Sequence, residues 1–139
     1  MTQHEGQGQR PLYPLGEHAR DQVITRTGRP LAELTMENIR AGQVGAEDFT
    51  IHPDTLRAQA QIAEDAGFTQ LAANLRRAAE LALVPNEKVL AVYEALRPYR
   101  LKYDQLRALA DELERDYGAA ENARFIREAA ESYRARGLA

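Results

Sequence analysis

Residues 55–99 read TLRAQAQIAEDAGFTQLAANLRRAAELALVPNEKVLAVYEALRPY, and this stretch decides the fold. Leu56, Ala60 and Ala63 fall at i, i+4 and i+7, the spacing of one helix face. Pro53 fits the first turn of that helix, where its missing N–H costs nothing, and His52 takes the cap position, an unusual choice. Gly67 is the natural stop. Thr69 is expected to cap a second helix, with Leu71, Leu75, Ala78, Ala79 and Ala82 as its apolar stripe. Pro85 breaks the pattern and Asn86 can cap a third helix. There Val89, Tyr93 and Leu96 form the stripe until Pro98 ends it.

Working outward, the C-terminal part continues in the same period. One helix carries Leu106, Leu109, Ala110, Leu113 and Tyr117 and closes at Gly118. A last one carries Ala119, Ala123, Ile126, Ala130 and Tyr133. Toward the N-terminus, a short helix is predicted over Thr35 to Ala41, capped by Thr35 and ended by Gly42. Residues 43–51 then read as a connector, with Val44, Phe49 and Ile51 as apolar anchors. Residues 1 to about 29 are polar and punctuated by Pro11, Pro14, Gly16, Gly28 and Pro30, with Val23 and Ile24 the only adjacent β-branched apolar pair. Such a segment hardly offsets its ordering entropy alone, so it is either disordered or laid along another surface. No strand-like alternation persists. The expected fold is all-α: an open helical bundle over 35–139 preceded by an extended N-terminal arm over 1–34. Short connections after residue 52 favour sequential antiparallel packing.

Composition narrows the function classes. The 139 residues suit one domain and include no cysteine, which excludes disulfides and thiolate chemistry. No apolar run approaches the ~20 residues of a membrane span. MTQHEGQGQR lacks an apolar core, so a secretory signal is not expected. The net charge is −3 and the signs are mixed along the helices, without the basic stripe of a nucleic-acid binder. Of 18 basic residues 16 are Arg, and 24 residues are Ala. Arginine enrichment marks interfaces, but a GC-rich genome favours both residues equally well. Burying Ala removes little apolar area from water, so the self-contained core should be thin. Docking on a partner would supply what it lacks.

No credible catalytic constellation is visible. Asp111, Glu112, Glu114 and Asp116 cluster on one helix. General acid–base work needs a carboxylate in an enclosed, tuned site. Here Arg107 and Arg115 are close in sequence, and a solvated charged face with pairs such as Arg107–Asp111 fits better. The histidines, His4, His18 and His52, lack metal-ligand spacing. Gly6-Gln7-Gly8 is only a fragment of a nucleotide fingerprint. The one serine, Ser132, lies inside the last helix with no elbow motif.

Three features point instead to partner contact. Tyr13-Pro14-Leu15 sets an aromatic and a leucine around a proline in a polar segment. Arg76 and Arg77 sit mid-helix, either bonded to nearby acids such as Glu80 or anchoring a partner through their forked donors. Arg97-Pro98-Tyr99-Arg100 forces the chain out of helix; read as a plain helix–helix corner, it packs Tyr99 on the bundle.

The same places carry a family resemblance. Tyr13 to Leu15, Thr27-Gly28-Arg29-Pro30-Leu31, Leu34 to Glu37 and Ala41 to Val44 resemble successive motifs of the small subunits of adenosylcobalamin-dependent diol and glycerol dehydratases. So do Pro53 to Glu64, Arg76 to Leu81, Val84-Pro85, Ala95 to Pro98, Ala110 to Glu114, and Phe125 to Tyr133. The resemblance spans about residues 11–136; each motif is weak alone and the set is specific. It implies a structural small subunit, without a catalytic, cofactor-binding or metal-binding residue of its own. The enzyme would be a lyase that turns glycerol or a 1,2-diol into an aldehyde and water by a radical mechanism. In such enzymes the large and medium subunits hold adenosylcobalamin, and the whole is a cytoplasmic dimer of heterotrimers. Candidate contacts are Tyr13, Pro14, Leu15, Arg76, Arg77, Arg97, Tyr99 and Arg100. His52 stands where the family usually has Ser, and Tyr103 where it usually has a polar residue. Only about ten residues precede Tyr13, which argues against the N-terminal extension linked to microcompartment targeting. A helical adaptor that binds some other protein is the alternative.

Overall fold

A computed structural model describes residues 10–139, so the readings of the leader, of His4 and of Gly6-Gln7-Gly8 lie outside the described residues. Those residues are helical, with two isolated β-bridges and no strand. The α-helices are α1 (Leu15–His18), α2 (Met36–Arg40), α3 (Pro53–Asp65), α4 (Thr69–Leu81), α5 (Asn86–Ala95), α6 (Tyr103–Tyr117) and α7 (Ala120–Arg136). Among the described residues no helix is long and apolar enough to cross a membrane. The chain divides into two compact units, one ending at Ala72 and one running from Ala73 to Ala139. The division falls inside α4, so the arm shares a unit with α2 and α3.

In the first unit the arm is not a simple extended strip. It makes the single turn α1 and a 3-10 turn at Arg20–Gln22, then doubles back at Gly28, whose φ is +85°. Ile24 bridges to Pro30 and Thr25 to Ile51. The reason is a set of side-chain hydrogen bonds that sequence periodicity does not encode. The Thr27 hydroxyl donates to the Asp48 carboxylate, and the Gly45 N–H donates to its other oxygen at 2.8 Å. The Arg29 N–H donates to the Thr25 hydroxyl oxygen at 3.0 Å, and Arg29 Nε lies 3.5 Å from Asp48. Thr25 and Asp48 are buried, and burial of such groups is tolerated because they are bonded.

The connector behaves differently from its reading. Val44 is buried, but Phe49 is 60% exposed and Ile51 faces largely outward. The 3-10 turn Ala46–Phe49 turns Asp48 inward to complete the clasp, which leaves Phe49 outside. Helix signals fare well. The Thr35 hydroxyl accepts from the Asn38 N–H, and His52 Nδ1 accepts from the Asp54 N–H at 3.1 Å. At Gly42 and Gly67, both with positive φ, the chain leaves α2 and α3 through paired bonds to the last carbonyls. Leu56, Ala60 and Ala63 are buried as the spacing predicts.

In the second unit the core is Val92, Leu106, Ala110, Leu113, Ala119, Ala123, Ile126 and Ala130, formed mainly where α6 packs on α7. Only Leu106, Leu113 and Ile126 are large side chains buried completely, so the core is thin, as the alanine content implies. Two stripes rotate relative to their sequence reading. On α4, Ala79 is buried as its stripe predicts, but Ala72 is buried beside it while Leu71 and Ala78 face out. On α5, Val92 takes the core position and Tyr93 is 63% exposed, which leaves the phenol hydrated. Thr69 and Asn86 are the first helical residues rather than caps; the carbonyls of Phe68 and Pro85 before them already accept the first helical bonds.

Candidate partner-binding surfaces

The acidic cluster on α6 forms a charged face. Arg127 reaches both Asp111 and Glu114 at 2.6 Å, Lys88 pairs with Glu112, and Arg115 with Asp116. Arg107 pairs with Glu131 across to α7 rather than with Asp111. The Arg127 hydrogen bond holds the Asp111 carboxyl below the ordinary range, and Arg115 does the same for Asp116. Glu131 is lowered by the Tyr103 hydroxyl and by Arg134, which also stacks 4.2 Å over the Tyr103 ring. Carboxyls lowered in this way stay ionised at neutral pH, the opposite of what a general acid requires. Among the described residues no group of His, Cys, Asp and Glu is arranged to hold a metal.

The sequence-predicted contact residues fall in three places. In the first unit Tyr13 is exposed, with Leu12 beside it. Pro14 and Leu15 are half-buried, and Leu15 lines a cleft with Pro11, Ala19, Val23, Ile24 and His52. The triplet thus turns its leucine inward and its tyrosine outward.

In the second unit α4 presents the arginine pair. Arg76 is half-buried and already engaged. Arg77 donates to the Asn74 side chain and lies 4.6 Å over the Phe125 ring, a cation–π contact. Glu80 does not serve the Arg77 guanidinium. Its carboxylate accepts from the Glu121 and Asn122 N–H groups at 2.8 and 2.9 Å, capping the start of α7, where Ala119 has no side chain to do so. The buried Asn122 amide completes the arrangement by donating to Glu80 and to the Arg77 carbonyl. These bonds fix α4 against α7 and leave an open cleft of about 330 Å³ beside them. Ala78, Leu81, Val89, Tyr93, Leu96 and Phe125 give it an apolar lining under the Arg77 guanidinium. Such a groove can receive apolar side chains of a partner and has no reactive group to act on them.

Leu96, at one end of the groove, leads into the third place. Arg97 and Arg100 both reach Glu94, at 3.1 and 3.0 Å, and the Arg100 N–H donates to the Arg97 carbonyl. Pro98 and Tyr99 are the central residues of this four-residue turn. Tyr99 does not pack on the bundle: its side chain is 76% exposed and its φ is +66°. Its N–H donates to the Leu138 carbonyl at 2.8 Å, which holds the backbone in place while the ring points away. Sequence reading points to the corner and not to Tyr93, Phe125 or the Glu80–Asn122 cap. Tyr93 was hidden by its fit to a core stripe. The cap joins residues 42 apart, and no local signal announces it.

Comparison with known proteins adds a family to this geometry. The model of the dehydratase small subunit family matches residues 9–139. The chain is 49% identical to the propanediol dehydratase small subunit of Citrobacter freundii over 121 residues, covering 87% of this chain and 70% of that one. It is 48% identical to the propanediol dehydratase small subunit of Salmonella typhimurium strain LT2 over the same share of each.

Proposed function

Because the chain belongs to the dehydratase small subunit family, we propose that it is the structural small subunit of a propanediol-type diol dehydratase. The complex converts a 1,2-diol or glycerol to an aldehyde and water, works in the cytoplasm and assembles as a dimer of heterotrimers. The large and medium subunits carry adenosylcobalamin and the substrate, and this chain docks on them through Tyr13 to Leu15, Arg76–Arg77 and the Arg97-to-Arg100 corner. The single observation that carries this reading is the pairing of near full-length similarity to dehydratase small subunits with a thin-cored fold that leaves large apolar side chains outside.

The chain's own residues do not fit the cofactor. The polar cup at Thr27, Arg29, Gly45 and Asp48 and the groove at Arg77 and Phe125 are open to solvent and hold about 490 and 330 Å³. Neither could enclose a corrin ring. His52, which lines the cleft beside Leu15, spends its Nδ1 on capping α3. No chemical step is therefore assigned to this chain; its part is to bind and to cover apolar surface on its partners.

Co-expression with the large and medium subunits tests the reading. The three chains are expected to co-elute on size exclusion, and omitting this one should lower the yield of soluble, active enzyme. A chain that never co-elutes, beside two partners fully active without it, sinks the proposal.

A further inference from the structure

A four-residue turn with proline at its second position and a positive φ at its third is a type II turn, which ordinarily takes glycine there. The left-handed conformation costs any other residue about 1–2 kcal/mol. Here the third residue is Tyr99. Among the described residues nothing compensates for that choice. The ring is 76% exposed, and among the described residues its hydroxyl has no hydrogen bond. Its backbone N–H bond to Leu138 would be made equally by glycine. Strain that a fold could shed without loss marks a side chain used outside the fold. The flanks add an electrostatic signature. Arg97 and Arg100 share the single carboxylate of Glu94, so the turn carries one positive charge in excess, on two guanidiniums that are more than half exposed.

We infer that Tyr99 is a docking anchor whose ring enters a pocket on another dehydratase subunit, with a carboxylate of that subunit at the pocket rim facing Arg97 and Arg100. This rests on the chain being a dehydratase small subunit. A rigid phenol ring with arginines beside it matches the residue types that dominate binding energy at protein interfaces. A carboxylate at the rim would accept the forked donors of either arginine. The Tyr93 side of the apolar groove lies just before the turn and would be covered by the same partner.

The decisive substitution is Tyr99→Gly, which removes the ring and the strain together. With the full chain and its large and medium partners, the affinity of the small subunit for the rest of the complex should fall at least about tenfold. The variant alone should melt no lower than the wild type, and higher than Tyr99→Ala, which keeps the left-handed strain without the ring. An Arg97→Ala/Arg100→Ala double variant should weaken assembly less and flatten its dependence on salt. If Tyr99→Gly assembles as tightly as the wild type while the wild type does co-elute, the anchor is overturned and the subunit assignment stands. If the wild type does not assemble with those partners, the subunit assignment falls and takes the anchor with it.

Discussion

The two compact units are held in different ways. In the first, helix α3 contributes Leu56, Ala60 and Ala63, and much of the remaining order comes from polar groups: Thr25, Thr27, Arg29, Gly45 and Asp48 close on one another. In the second, three large side chains and five smaller ones make a continuous apolar core, and polar bonds serve mainly to fix helix ends. Apolar packing is non-directional and scales with area, so it tolerates small shifts. A buried hydrogen-bond network is directional, and each partner removed leaves another unsatisfied. The first unit should therefore depend on single polar groups, and the second on the few large side chains of its core and on the bonds at its helix ends.

Cavity formation is the hardest test of that contrast. Leu113→Ala removes one of the three fully buried large side chains and is expected to cost about 3 kcal/mol. Urea denaturation followed by helix circular dichroism measures it, and a loss under 1 kcal/mol would mean that the thin core collapses around the gap. Next in size is Glu80→Ala. It uncaps α7 and leaves the Asn122 amide without one acceptor, for about 2 kcal/mol. The same measurement applies, with Glu80→Gln losing less because its amide oxygen can still accept. Smaller again is Tyr133→Phe. The Tyr133 hydroxyl donates to the Leu96 carbonyl at the end of α5, and its removal should cost about 1 kcal/mol. Faster hydrogen exchange confined to the last turn of α5 would locate the effect. An unchanged protein would show that water replaces the hydroxyl freely.

Much of the fold was legible because helices announce themselves locally. The glycines at 42, 67 and 118 and the threonine at 35 each end or cap a helix through bonds to near neighbours, and the proline at 53 opens α3 at a position that needs no N–H. The errors share one cause. Tyr93 and Leu71 fit a helical stripe, but a stripe says only which residues lie together, not which side of it meets the rest of the fold. Val92 and Ala72 won those positions through tertiary packing. The local order of the arm lies beyond such patterns for a related reason. Its apolar content is too low to predict order, and the bonds that order it join Thr27 to Asp48, twenty-one residues away. The surface was legible in part. Arg97-Pro98-Tyr99-Arg100 stood out by composition, whereas the exposure and positive φ that give Tyr99 its meaning are backbone facts no residue count contains.

Acid gives the finest test of the polar clasp in the first unit. The Thr27 hydroxyl, the Gly45 N–H and the Arg29 guanidinium together hold the Asp48 carboxyl below its ordinary range. A carboxyl lowered by folding adds stability that is fully present above its unfolded value, about 3.9, and disappears as pH falls through the folded value. The clasp should thus be intact at neutral pH and loosen only below about pH 4. The charged groups facing Asp48 are Arg29, whose Nε lies 3.5 Å away, and behind it Glu33, which pairs with Arg29 at 2.9 Å. The Gly45 amide resonance reports the event directly, because that N–H donates to Asp48. Its chemical shift should titrate with a midpoint below the ordinary carboxylate value, and the Asp48 variant separates this event from the lowered carboxyls Asp111, Asp116 and Glu131 of the second unit. In Asp48→Asn the titration should vanish, and residues 25–29 should exchange faster already at neutral pH. A Gly45 midpoint at or above the ordinary value would show that the hydrogen bonds do not favour the charged form. The first unit would then owe its order to α3 packing alone, and the contrast between the two units would close.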